Sequence, residues 1–230
     1  VEVLQGVLEA RFGDKVCMLP PHVLYKETIA APVVGIGHYE PLRHYAEVWL
    51  RLTPGEPGSG VTFAVNCPPN SLDENWKRLI RTHIFEREHP GVLTGSPLTD
   101  VRIELIAGRA HLKHTEGGDF REATCRAIRN ALMQAENVLL EPVVRFELAM
   151  PSETLARVTG ELLRIGAELD ASETDGGETT LTGRCTAATF WDYPTKFAAS
   201  TRGHGRIASR FDRYEPCKNQ DEIVKKIGYD

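Results

Sequence analysis

The sequence predicts an α+β protein, and three observations predict it. Residues 143–214 run strand, helix, two strands, helix, strand. Residues 45–52 and 101–105 alternate apolar and polar side chains with the period of a pleated strand, whereas 72–84 and 120–135 repeat apolar residues every three or four positions, the period of a helix.

Taken in order, the chain opens with a helical stripe of Val3, Leu4, Val7, Leu8 and Phe12, closed by Gly13 as C-cap. Because it starts inside a helix and without methionine, a fragment of a longer protein is expected. Residues 15–18 and 22–29, split by Pro20 and Pro21, are expected to be extended, and 31–39 is punctuated by glycine and proline. Strands follow at 45–52 and 61–65, separated by the turn-rich Pro54 to Gly60 stretch. Ser71 is expected to cap a helix over 71–88, Glu74 to complete a capping box, and Leu72, Trp76, Leu79, Ile80 and Ile84 to form its buried face. After the 101–105 strand comes a basic loop and a long helix, with Asp119 as the cap just before it. Ala123, Ala127, Ile128, Ala131, Leu132 and Ala135 form the apolar face of that helix. An acidic-apolar turn near Glu141 and Pro142 is the expected domain boundary.

Beyond it the pattern is self-contained. A strand at 143–150 leads to a helix at 152–165, with Ser152 as cap and Leu155, Val158, Leu162 and Leu163 inside. Strands at 168–173 and 178–186 flank the hairpin signal Asp175-Gly176-Gly177. A helix at 188–200 carries Phe190, Tyr193 and Phe197 on one side, and 205–214 is the last strand. This is the split-βαβ, ferredoxin-like order. Residues 223–227 suit a short terminal helix.

With 230 residues, 41% hydrophobic, 26% charged and a net charge of −5, the composition is that of a globular chain of one large or two small domains. No apolar run approaches the length of a membrane span, so no membrane partner is expected. Cysteines at 17, 67, 125, 185 and 217 form no CxxC pair, which argues against a disulfide framework or zinc knuckle and for a reducing cytoplasm. No GxxxxGK[ST] loop, GxSxG elbow or HExxH helix occurs. Neither a catalytic group nor a metal site is therefore expected in this chain.

Two basic stretches stand out against the acidic total. Arg109, His111, Lys113 and His114 lie within six residues with no carboxylate among them. Such a loop suits phosphate oxygens and unpaired bases; the same residues also suit a solvated hairpin tip. The second stretch is Arg202, His204, Arg206, Arg210 and Arg213, starting on a turn where Gly203 and Gly205 permit close approach to a phosphate. That turn equally suits a helix C-terminus capped by glycine.

Four spaced motifs carry a resemblance. The segment NVLLEPVVRFE at 137–147 resembles the junction of domains IV and V in elongation factor G and its relatives. TRGHGRIASRFDRYE at 201–215 is similar to their closing segment, with an extra residue before Arg206. VLYKETI at 23–29 resembles the entry to domain IV, and 4–14 the last helix of domain III. PGSGVTF at 57–63, Asp119-Phe120-Arg121 and the tail after Cys217 resemble the ribosomal protection proteins of tetracycline resistance more than the translocation factors. The glycine-rich tip of the latter is replaced here by GIGHYEPLRHYA at 35–46. The tip proline of the protection proteins is likewise replaced, by His111-Leu112-Lys113-His114.

The resemblance implies a remnant of domain III at 1–21, domain IV at 22–141 with a fold like ribosomal protein S5 domain 2 and a left-handed crossover, ferredoxin-like domain V at 142–217, and a tail at 218–230. It implies a monomeric, cytoplasmic, ribosome-binding part of a translational GTPase. Its partners would be 16S and 23S rRNA and ribosomal proteins, with GTP and Mg held on a G domain outside this sequence. Arg109, His111, Leu112, Lys113 and His114 would form the domain IV tip at the decoding region, His111 aligning with a tip histidine. Arg202, His204 and Arg206 would make a second contact from domain V. A translocation factor is the alternative within the family; from another class, a small metal or small-molecule enzyme would use His111 and His114.

Overall fold

The computed structural model describes residues 2–13, 15–17, 22–68 and 70–229. Helix α1 (Glu2–Phe12) ends on Gly13, whose φ of +73° and N–H bond to Glu9 O at 2.9 Å make the expected C-cap. Its apolar stripe is uncovered: Val3, Leu4, Val7 and Phe12 are all exposed. Residues 15–17 have no regular structure, and the rest of the expected Pro20-Pro21 break lies outside the described residues.

Strands β1 (Lys26–Ile29), β2 (Val33–Tyr39), β3 (Ala46–Pro54) and β4 (Val61–Val65) come next, then helix α2 (Glu74–Phe85), strand β5 (Val101–Ala110) and helix α3 (Gly117–Gln134). One sheet has the order β2-β3-β5-β4; β4 and β5 are parallel, joined through α2, and the other pairs antiparallel. Alternation in β3 places Ala46, Val48, Leu50 and Leu52 inside, where they meet Ile80 and Ile84 of α2 and Phe120, Ala123, Ala127, Ile128, Ala131 and Leu132 of α3.

Three expectations here are corrected. The glycine-punctuated segment is a full strand, because Gly35 and Gly37 let β2 lie directly on α3. A Cβ at Gly37 would stand 1.7 Å from Ala123 O, and one at Gly35 2.0 Å from Ala127 O. Helix α2 begins three residues later than Ser71; its N-cap is Asp73, with no capping side-chain bond, and Leu72 is buried ahead of the helix. Asp119 is the third residue of α3 rather than its cap. Glu116 is the N-cap, and its N–H donates to Asp119 Oδ2 at 2.8 Å.

Strand β6 (Asn137–Pro151) runs straight through Glu141 and Pro142, so the expected turn is extended backbone. Its first residues pair antiparallel with β1 and the remainder with β8 (Glu178–Thr186), while β9 (Arg206–Pro216) pairs along its other edge. A proline is tolerated here because a register shift in the β6·β9 ladder falls directly beyond it, between Val143 and Val144.

After β6 a short 3-10 turn, Ser152–Thr154, precedes α4 (Leu155–Arg164). Ser152 Oγ is bonded to Thr179 Oγ1 at 2.8 Å instead of capping a helix, and Leu163 is exposed at the edge of the buried Val158–Leu162 face. Strand β7 (Glu168–Asp175) joins β8 through Gly176 and Gly177, both with positive φ, as a two-residue hairpin requires. The helix expected at 188–200 is split into α5 (Ala187–Phe190) and α6 (Tyr193–Ser200). Pro194 sits in the first turn of α6, where its missing N–H costs nothing, and so marks a start rather than an interior. The order β7-β8-β6-β9 with helices on one face is the ferredoxin-like arrangement, its core built on Phe146, Leu148, Val158, Leu162, Phe190, Tyr193 and Phe197. Helix α7 (Gln220–Ile227) closes the chain, held by Gln220 Oε1 accepting from Leu139 N–H at 2.7 Å.

Candidate functional site

The basic loop sits where β5 runs out of its sheet at Ala110. Backbone and threonine bonds satisfy the turn: His111 N–H donates to Thr115 Oγ1 at 2.6 Å, Thr115 Oγ1 donates to Tyr45 O at 2.6 Å, and Tyr45 N–H donates to His114 O at 2.8 Å. Lys113 N–H donates to His111 Nδ1 at 3.2 Å, and the His111 and His114 rings stack with centroids 4.5 Å apart. With the main chain occupied internally, the side chains of Arg109, His111, Leu112, Lys113 and His114 all face solvent. Leu112 is wholly exposed. This combination of a fixed backbone and free cationic and aromatic side chains can hold phosphate oxygens and stack bases.

Arg109 lies opposite Glu47 in the β3·β5 ladder. The Glu47 carboxylate is spent on Trp49 Nε1 at 2.6 Å and Tyr45 OH at 3.1 Å. The Trp49 bond, foremost, holds that carboxyl below the usual carboxylate range. Glu47 therefore stays charged and partly offsets Arg109.

A second loop, part of the 35–46 segment that stands in place of the translocation factors' glycine-rich tip, lies beside the first. Residues 40–45 border a cleft of about 520 Å³ shared with His111 and His114. Leu42 is fully exposed, Arg43 takes a left-handed φ of +64°, and His44 Nδ1 lies 2.8 Å from Asp119 Oδ1, tying this loop to the first turn of α3.

The second basic stretch is divided. Arg202 itself, not a glycine, takes the left-handed position after α6, with φ of +52°. Gly203 N–H bonds to Ala198 O at 2.8 Å and Arg202 N–H to Ala199 O at 3.2 Å, a Schellman closure. Gly205 is glycine for packing rather than for phosphate approach, since a Cβ there would stand 2.5 Å from the Phe197 ring. Arg206 is bound to both Glu178 oxygens at 2.9 and 3.0 Å, and Arg213 to Asp212 and Glu215. Arg202 and His204 are left exposed at the end of α6. Among the described residues no helix is long and apolar enough to cross a membrane.

Residues 21–136 match the family model described as "Elongation factor G, domain IV", and residues 138–223 match "Elongation factor G C-terminus". The fold is similar to that in the crystal structure of ttk003000868 from Thermus thermophilus, with a TM-score of 0.91 and 24% identity, over 100% of this chain. The chain spans 35% of the length of that protein. The α+β architecture described above is thus that of domains IV and V, and the chain belongs to the elongation factor G family.

Proposed function

We propose that this chain is the ribosome-contacting part of a translational GTPase, and that its domain IV tip meets rRNA at the decoding region. The supporting observation is the exposed finger 109–114, whose backbone is bonded internally while the Arg109 and Lys113 side chains and the stacked His111 and His114 rings face solvent. In this reading domain IV occupies 22–141 and domain V 142–217, after a domain III remnant at 1–21. GTP and Mg are bound by a G domain elsewhere in a longer, cytoplasmic, monomeric protein, and Arg202 and His204 make a second contact. The motifs at 57–63 and 119–121 favour a ribosomal protection role in tetracycline resistance. The matched family models, both described as elongation factor G, favour translocation as the second reading.

Changing Arg109, His111 and Lys113 together to Ala in the full-length protein is expected to weaken ribosome binding at least about tenfold. It should also make its logarithmic salt dependence shallower by roughly 1–2 units, with the melting temperature unchanged. Unaltered affinity and salt slope would overturn the tip assignment. Growth of a sensitive host carrying the full gene separates the two roles: survival in tetracycline supports protection, and rescue of a translocation-deficient strain without drug supports translocation.

A further inference from the structure

The flank of domain IV holds a second cationic feature, set well back from the tip. Between the end of α2 and the solvent face of α3 lies a cavity of about 320 Å³ lined by Arg87, His89, Cys125, Arg126, Arg129 and Tyr229, with Pro90 and Ile128 as apolar wall. From the start of α3 at Gly117 to Arg129 is twelve residues, about 18 Å along the helix axis.

Three arginines line this cavity and, among the described residues, no carboxylate does, in a chain whose net charge is −5. Several arginines elsewhere are paired with carboxylates: Arg121 with Glu86, Arg102 with Glu104, Arg206 with Glu178. Arg87 and Arg129 are treated differently. Arg87 Nη2 rests on Cys125 Sγ at 3.1 Å, and Arg129 Nη1 donates one long bond to Gly91 O at 3.3 Å. Each fork has five N–H donors, so most are unspent. Arg126 is fixed, with Nη1 on His38 O at 2.9 Å and its guanidinium 4.9 Å from the Tyr39 ring centroid. The nearby Glu86 carboxylate is already engaged by Arg121 and His83. His89 is buried, donates Nε2–H to Ile84 O at 2.9 Å, and brings no negative charge.

We propose that this cavity is a phosphate-binding site, with Arg87 and Arg129 supplying the forks. Planar guanidinium groups match the oxygens of a phosphoryl group bidentately, and the apolar wall strengthens their attraction by excluding water. The tail closes the rim: Tyr229 lies over Gly95, where a Cβ would stand 2.5 Å from its ring. The phosphoryl group can be inorganic phosphate or a phosphodiester of RNA, and the site does not depend on the tip reading.

Cys125 is a built-in reporter. Filling the cavity blocks its sulfur, and a bound dianion disfavours the thiolate that reacts, so both effects slow alkylation. The test is the rate at which neutral iodoacetamide modifies Cys125 in the whole chain, mapped by peptide mass, with exposed Cys17 as internal control. At phosphate tenfold above its dissociation constant, with ionic strength held by chloride, the Cys125 rate should fall about tenfold and the Cys17 rate stay constant. The double variant Arg87→Gln, Arg129→Gln should lose that protection while melting as the wild type does. Protection by millimolar phosphate alone identifies a free-phosphate site; protection by a micromolar single-stranded oligoribonucleotide identifies a backbone site. No protection by either, or protection that survives in the double variant, overturns the proposal. Should the double variant melt early, an unchanged wild-type melting temperature in phosphate overturns it as well.

Discussion

Single residues in this protein are held by steric and electrostatic terms that can be tested one at a time. Gly37 is required by contact: with a Cβ, α3 must move off β2, and Gly37→Ala is expected to cost about 1–3 kcal/mol or more, measured from urea midpoints. Arg202 is the reverse case, a side chain in a backbone position that favours glycine. Arg202→Gly should stabilise the fold by roughly 0.5–1 kcal/mol, even if the exposed charge serves binding. Burial, above all, holds the His89 ring below its ordinary value of about 6.5. The unfolded chain then binds the proton first, so this contribution is complete above about pH 6.5 and is lost as the pH falls toward the folded value. Urea midpoints on either side of that pH should show the loss, and His89→Gln should flatten it.

At the level of elements, side chains distant in sequence decide where helices and strands begin and end. The buried Glu27 of β1 is the clearest instance. Its carboxylate accepts from Leu93 N–H at 2.9 Å, Thr94 N–H at 2.8 Å, Thr94 Oγ1 at 2.9 Å and Ser96 N–H at 3.2 Å, so one side chain organises the loop before β5. Gly91 leaves room for it, since a Cβ there would stand 2.0 Å from Glu27 Oε2. Glu27→Ala leaves four part-buried donors without their acceptor and is expected to cost about 1–3 kcal/mol, with faster hydrogen exchange at residues 93–96. The glutamate of VLYKETI is thus explained by loop closure, and no ligand is needed to account for it. The long period of α3 was legible from residue spacing, as were the 176–177 hairpin and the α7 helix. The start of α2 and the continuity of β6 were not, because each depends on what packs against the segment; the break between α5 and α6 was marked locally by Pro194.

Across the whole molecule, two hydrophobic clusters share no residue, one over 29–132 and one over 146–197, and strand β6 connects them. Trp49 and Trp76 lie in the first unit and Trp191 in the second, so variants that keep tryptophan in only one unit let fluorescence follow the two separately. Phe197→Ala should lower the stability reported by Trp191 alone by about 3–5 kcal/mol and leave the Trp76 signal of the first cluster near its original midpoint. Coincident loss of both signals would show that β6 makes the two clusters one cooperative unit.

The sequence by itself determined the element types wherever a period ran for several turns or strand residues, and it carried motifs at 23–29, 137–147 and 201–215 that fall within the matched family models. It also singled out the basic run at 109–114, because charge in an acidic chain is visible without coordinates. Only the tertiary structure decided that Gly35 and Gly37 belong to a strand, that the 40–45 loop shares a cleft with His111 and His114, that Arg206 is paired with Glu178, and that Arg87 and Arg129 line one cavity. The physical reason is common to all four. Periodicity records which face of a segment avoids water, whereas a partner tens of residues away leaves no mark on local spacing.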